Sequence, residues 1–141
     1  MKVQDILRVK GRRVLKIAPD ATLADVVDSL VAHNCGSLVV CQGEEMVGII
    51  TERDILRASA SGRQPLHTCR VRDQMTPNPI TGHPEEDLNR VMGLLTEKRI
   101  RHLPIVQDNR LVGIISIGDV VKAQHDHLTM ENHYLKSYIQ G

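Results

Sequence analysis

The apolar positions of this 141-residue chain recur at two periods. In TLADVVDSLVAHN, residues 22–34, Leu23, Val26, Val27 and Leu30 fall on one face at helical spacing, and Thr22 stands where an N-cap belongs. DLNRVMGLLTEKR, residues 87–99, repeats the arrangement with Leu88, Val91, Met92 and Leu95. Each helix is followed by two short apolar runs, SLVVC then MVGII in one case and HLPIV then LVGII in the other. The turn-rich stretches QGEE and QDNR separate them, so each pair reads as a hairpin of buried strands. A second helix is expected from Glu52 and from Gly118, and a short extended piece is expected ahead of each unit, at residues 14–17 and 79–81. The predicted order is β-α-β-β-α, twice, an α/β fold.

The two units are copies of one another. Laying residues 19–58 over 84–123, an offset of 65 without a gap, gives 12 identities in 40, including Gly48/Gly113, Ile49/Ile114, Ile50/Ile115 and Asp54/Asp119. Average amino-acid usage would give about three. Upstream the match resumes at an offset of 68, with Val3/Val71, Asp5/Asp73 and Leu7/Met75, so the first copy carries three extra residues around Lys10, Gly11 and Arg12. One copy is too small to bury a sufficient core alone. The two are therefore expected to pack sheet to sheet about a pseudo-twofold axis. The organisation this predicts is a repeat over residues 1–60, a Gly/Ser/Pro-containing linker over 61–70, a second repeat over 71–124 and a helical tail over 125–141. The tail keeps helical periodicity with Leu128, Tyr134, Leu135 and Tyr138, more apolar surface than closing the repeat requires, and is read as an extra helix for an interface.

Composition removes several partner classes. Apolar residues at 41%, with ten Gly besides, suit a soluble globular protein. A formal charge of +1 supplies no field for DNA or an anionic membrane. With Phe and Trp absent and only Tyr134 and Tyr138 present, there is no stacking platform for single-stranded nucleic acid. These two tyrosines, at i and i+4, read as packing residues. Neither nucleic acid nor membrane is an expected partner. Cys35, Cys41 and Cys69 are odd in number and lack CxxC spacing, and the N-terminal MKVQDILRVKGRR has no apolar run of signal-peptide type, which points to a reduced, cytoplasmic setting. Cys35 and Cys41 read as core fillers; Cys69 is a linker thiol with no neighbour to lower its pKa. His125, His127 and His133 read as exposed polar residues rather than metal ligands, because an i, i+2 pair diverges on a helix. There is no GxxxxGK[ST], GxSxG or HExxH, so no enzyme activity and no catalytic residue are expected.

The segments MVGIITERDI (46–55) and LVGIISIGDV (111–120) resemble the signature of the cystathionine-β-synthase (CBS) domain family, and the resemblance extends over residues 3–123. It implies tandem β-α-β-β-α repeats paired into a Bateman module that senses adenosine-based ligands, AMP, ADP, ATP or NAD, and modulates a homodimer or another protein. Two further readings stay open: a ligand-independent dimerisation or adaptor module, and an allosteric subunit acting in trans on a metabolic enzyme such as IMP dehydrogenase.

In the family motif, G-h-h-T/S-x-x-D ends a strand and begins a helix. The hydroxyl and the helix-start amides meet phosphate, where the helix dipole favours negative charge, and the Asp accepts from the ribose hydroxyls. The resemblance places these roles on Thr51 with Asp54 and on Ser116 with Asp119. The same spacing is that of a helix capping box, and Thr22-x-x-Asp25 has it too, so spacing alone leaves both readings open. By resemblance, one cleft combines Thr51, Arg53 and Asp54 with Pro79, Ile80, Arg101, His102 and Leu103, and the other combines Ser116 and Asp119 with Val14, Leu15, Lys16, Gly36, Ser37 and Leu38. Arg53, Arg101 and His102 would clamp phosphate in the first, although Arg101 and His102 also suit a solvated helix end. The second has Gly118 where the first has Arg53, while Gly36 and Ser37 leave room for an adenine, so the two sites are expected to be unequal.

Overall fold

A computed structural model describes residues 1–62 and 64–140. Arg63 of the expected linker and Gly141 of the tail lie outside the described residues. The element order is α1 (Val3–Lys10), β1 (Lys16–Ile17), α2 (Leu23–His33), β2 (Ser37–Gln42), β3 (Glu45–Thr51), α3 (Glu52–Ser61), α4 (Val71–Gln74), β4 (Thr76–Pro77), α5 (Leu88–Lys98), β5 (His102–Gln107), β6 (Arg110–Ser116) and α6 (Ile117–Gln140). The chain divides into two compact units, Arg13–Ile80 and Met1–Arg12 with Thr81–Gly141. These differ from the sequence repeats in one respect: each unit takes the leading segment of the other repeat, α4 with β4 in the first case and α1 in the second.

In the first unit the strands are ordered β1-β2-β3-β4. The β2–β3 hairpin runs antiparallel from Ser37↔Thr51 to Gln42↔Glu45, β1 lies parallel to β2 (Lys16↔Val39), and β4 lies antiparallel to β3 (Gly48↔Pro77). Helix α2 starts at a reciprocal capping box, in which the Asp25 amide donates to Thr22 Oγ1 at 3.2 Å and the Thr22 amide donates to Asp25 Oδ2 at 3.0 Å. It ends at Asn34, in the left-handed conformation (φ 50°) that Asn tolerates. The core joins Leu23, Val26 and Leu30 of α2 to Leu38, Val40 and Ile50 of the hairpin, Ala58 of α3, and Cys69 and Val71. Cys35 packs against the same cluster and Cys41 is buried, as core fillers would be. Burial pushes the Cys41 thiol up, against a smaller opposing pull from Lys16.

The stretch expected as a plain linker contributes to this core. Residues Leu66–Thr68 form a 3-10 turn entered at Pro65, whose φ of −62° is the value its ring imposes. Leu66 and Cys69, three apart, then share the face that packs inward.

In the second unit, β5 and β6 pair from His102↔Ser116 to Gln107↔Arg110, with a register shift at Ile105/Val106 that matches the one at Val40/Cys41. The extended piece expected at residues 79–81 is instead a single parallel bridge, Gly82↔Ile105. Prolines at 79 and 84 remove backbone donors on either side, and only Gly82 pairs fully, donating to Pro104 at 2.9 Å and accepting from Val106 at 2.9 Å. Helix α1 spends Val3, Ile6 and Leu7, an i, i+3, i+4 set, on a core made with Leu88, Val91, Leu95, Leu103, Ile105, Ile115 and Val120. Backbone bonds from Val3 to Glu86 (3.0 Å), Gln4 to Pro84 (2.8 Å) and Leu88 to Met1 (3.0 Å) fasten it there.

The tail forms no separate helix. Helix α6 runs unbroken for 24 residues, because nothing between Asp119 and Gln140 is Gly or Pro and the motif helix propagates into the tail. Among the described residues, no helix is long and apolar enough to cross a membrane.

The strand glycine shared by both motifs has a packing reason. A Cβ on Gly113 would lie 2.7 Å from Leu7 Cδ2, and one on Gly48 would lie 2.7 Å from Met75 Sδ and 2.8 Å from the Thr76 carbonyl oxygen. Leu7 and Met75 are equivalent in the repeat alignment, so each glycine admits the leading segment of the other repeat.

Candidate functional site

Both T/S-x-x-D motifs sit at the junction of a strand and a helix. Thr51 closes β3 and precedes α3; its amide donates to Asp54 Oδ2 at 2.9 Å and its hydroxyl donates to the same oxygen at 3.2 Å. Asp54 is the one buried charged side chain among the described residues. In the second unit the Ser116 amide donates to Asp119 Oδ2 at 2.8 Å and the Asp119 amide donates to Ser116 Oγ at 3.1 Å. The capping reading is therefore realised in both copies. It does not displace the ligand reading, since it holds each carboxylate rigidly at a helix start, where one oxygen is engaged and the dipole favours an anion.

The hairpins bring residues to these junctions in the same way. Ser37 is paired with Thr51, and the Glu52 amide donates to the Gly36 carbonyl at 3.1 Å. His102 is paired with Ser116, and the Ile117 amide donates to the Arg101 carbonyl at 2.9 Å. Arg53 and Arg101 are exposed. Leu38 and Leu103 place their side chains in the cores of their own units and pair across their hairpins with Ile50 and Ile115. Val14 and Leu15 are half-buried beside exposed Lys16, with the Val39 amide donating to the Leu15 carbonyl at 3.0 Å; Pro79 is half-buried and Ile80 exposed at the end of the first unit. Val14, Leu15, Lys16, Gly36, Ser37, Leu38, Thr51, Arg53, Asp54, Pro79 and Ile80 thus belong to one unit, and Arg101, His102, Leu103, Ser116 and Asp119 to the other. The fold brings Gly36 and Ser37 to Thr51, and Arg101 and His102 to Ser116, pairings within a hairpin that the family resemblance does not assign; of the partnerships it implies, Thr51, Arg53 and Asp54 share a unit with Pro79 and Ile80, and the others join residues of different units.

The sequence alone gives Lys10 no role. Lys10, in the three-residue excess of the first copy, donates to Asp119 Oδ2 at 2.6 Å and to the Ile114 carbonyl at 2.8 Å. Burial pushes the Asp119 carboxyl up, but the bond from Lys10, the Ser116 amide and the nearby ammonium charge together hold it below the ordinary carboxylate value. Asp54 has no such ammonium partner among the described residues. The available signal was the insertion itself, a break in an otherwise gapless repeat.

His127 pairs with Glu131 along α6 (3.2 Å), and no group of three His, Cys, Asp or Glu side chains is assembled to hold a metal among the described residues.

Comparison with known proteins agrees with this geometry. The CBS domain family model matches residues 3–61 and 71–126. The chain is 40% identical to "CBS domain-containing protein CBSX3, mitochondrial" of Arabidopsis thaliana, across 99% of this chain and 72% of that protein. Its fold superposes on the CBS-domain containing protein ATU1752 from Agrobacterium tumefaciens with a TM-score of 0.85 at 37% identity, covering 88% of this chain and 99% of that one. It also superposes on the CBS domain pair of protein MJ0100, solved in complex with 5′-methylthioadenosine and S-adenosyl-L-methionine, with a TM-score of 0.79 at 26% identity, covering 90% and 98%. A duplicated strand-to-helix motif, a matching family model over both copies and solved neighbours built as pairs lead to one conclusion: the chain belongs to the CBS domain family.

Proposed function

We propose that this protein is a regulatory module that binds adenosine-based ligands, AMP, ADP, ATP or NAD, with Thr51, Arg53 and Asp54 at one site and Ser116 and Asp119 at the other. The observation that carries the reading is the buried Asp54 carboxylate, held at the start of α3 by Thr51 beside the Arg53 position. A carboxylate suits a ribose diol, and helix-start amides with arginine suit phosphate. Pro79, Ile80, Arg101, His102 and Leu103 would complete the first site, and Val14, Leu15, Lys16, Gly36, Ser37 and Leu38 the second. The MJ0100 pair, with two adenosine-containing ligands, supports the ligand class. Asp54→Ala is expected to weaken AMP or ATP binding about 30-fold or more, the loss of two charge-assisted hydrogen bonds. Calorimetry on the variant, shown folded by circular dichroism, tests this; unchanged affinity would sink the assignment.

The signal is proposed to pass through a homodimer, or a regulated partner, assisted by the end of α6. Val121, Leu128 and Leu135 recur at seven-residue spacing on that helix and are exposed, as are Tyr134, Tyr138 and Ile139. A heptad stripe with no core of its own unit to join fits a second copy of the helix. Ending the chain at Ala123 is expected to weaken dimerisation at least tenfold, read by light scattering over a dilution series. Undiminished dimer affinity would remove the assisting role, and a monomer at both lengths would remove the dimer. The three free cysteines support a reducing compartment such as the cytoplasm.

A further inference from the structure

We propose that Lys10 is the phosphate-selecting residue of the Asp119 site, supplied by the leading helix of the first repeat to compensate for the glycine that stands where the other site has an arginine. The inference rests on the nucleotide reading of that site given above. Arg53 lies in the first turn of α3, next to Asp54, and Gly118 takes the equivalent place in α6, so the motif of the second copy brings no cation of its own. An isolated Asp119 carboxylate would repel a phosphorylated ligand. The ammonium of Lys10, 2.6 Å from Asp119 Oδ2, neutralises it.

The hydrogen-bond inventory leaves capacity for a ligand on both groups. The Ser116 amide and Lys10 both fall on Oδ2 of Asp119, so Oδ1 remains available to a ribose hydroxyl. Lys10 has three donor protons and spends two, on Asp119 and on the Ile114 carbonyl. Its side chain is about one-third exposed (36%), and a four-carbon stem gives the ammonium room to turn toward phosphate without losing the carboxylate.

Among the described residues, the other copy has no counterpart. Helix α1 continues to Lys10, at the end of its eight residues, whereas α4 stops after four, at Gln74, and Met75 is already extended before Pro77. One repeat therefore places its cation within the motif, and the other borrows it from a residue 109 positions away. Lys10 is at the same time held by the docking of α1, so selectivity at this site depends on that helix being in place.

Calorimetry with AMP and with adenosine tests the proposal in the full chain carrying Asp54→Ala, so that the remaining event belongs to Asp119. Adding Lys10→Gln is expected to lower the ratio of AMP to adenosine affinity about tenfold or more, and Lys10→Arg is expected to keep it. A ratio unchanged in Lys10→Gln, whatever happens to its melting temperature, overturns the proposal and leaves the nucleotide reading standing. Absence of any AMP binding in the Asp54→Ala chain overturns both at this site. A second measurement needs no variant: acylation of Lys10 in the native chain by an N-hydroxysuccinimide ester, mapped by mass spectrometry, is expected to be suppressed more by AMP than by adenosine at equal occupancy. Equal suppression by both would count against the proposal.

Discussion

A chain lacking residues 1–12 is expected to lose the second compact unit while the first stays folded. Helix α1 delivers Val3, Ile6 and Leu7 to the second unit's core, each almost wholly buried. At about 1.5 to 3 kcal/mol for each such side chain, the helix contributes roughly 5 to 9 kcal/mol before the entropy of ordering it is subtracted. That is comparable to the total stability of an ordinary domain, about 5 to 15 kcal/mol. Among the described residues, none of 1–12 belongs to the first unit or to its core cluster. Hydrogen exchange read by mass spectrometry should show protection lost over β5 and β6 and kept over β2 and β3. Full protection of β5 in the truncated chain would mean that α1 is an ornament of the unit and not part of its core. The milder variant Leu7→Ala should cost about 3 to 5 kcal/mol, since Leu7 lies against Gly113 and its loss opens a cavity the strand cannot close.

Gly48→Val is expected to destabilise the first unit by about 3 kcal/mol or more, and to do so more than Gly113→Ala does the second. Even the first carbon of a side chain on Gly48 would come within 2.8 Å of the Thr76 carbonyl oxygen, a backbone atom that has no rotamer through which to retreat. Strand β4 would have to leave β3, breaking the Gly48↔Pro77 and Ile49↔Thr76 pairing. At Gly113 the obstacle is a methyl group of Leu7, which can shift, so a cost of about 1 to 2 kcal/mol is expected. Urea unfolding of both variants checks the order. Equal and small losses would show that the glycines reflect strand chemistry and not the passage of a neighbouring segment.

The parts of this protein written in local periodicity were legible. The spacing of Leu23, Val26 and Leu30 placed α2, with Thr22 as its cap, and the alternation of short apolar runs with turn residues placed both hairpins. Their repetition at a constant offset identified the duplication, and the two motif aspartates stood at strand-to-helix junctions as expected. The leading helices were not legible in the same way. Helix α4 is four residues long, too short for a period to register, and α1 carries only Val3, Ile6, Leu7 and Val9 as apolar residues among polar ones. The linker reading of residues 61–70 came from composition, which registers Gly, Ser and Pro but not that Leu66 and Cys69 share a face.

Element type, strand pairing within each hairpin and the caps follow from the sequence alone, because each depends on residues a few positions apart: the reach of a helical turn, a tight loop or a side-chain oxygen to a nearby amide. Only the tertiary structure decides which core receives α1 and which receives α4, since apolar burial has no direction and an amphipathic face is satisfied by any matching surface. The same packing decides that the glycines of the two motifs are passages for the exchanged segments. It also brings Lys10 to Asp119, a contact across 109 residues that no local rule can express, because its distance is set by how α1 docks.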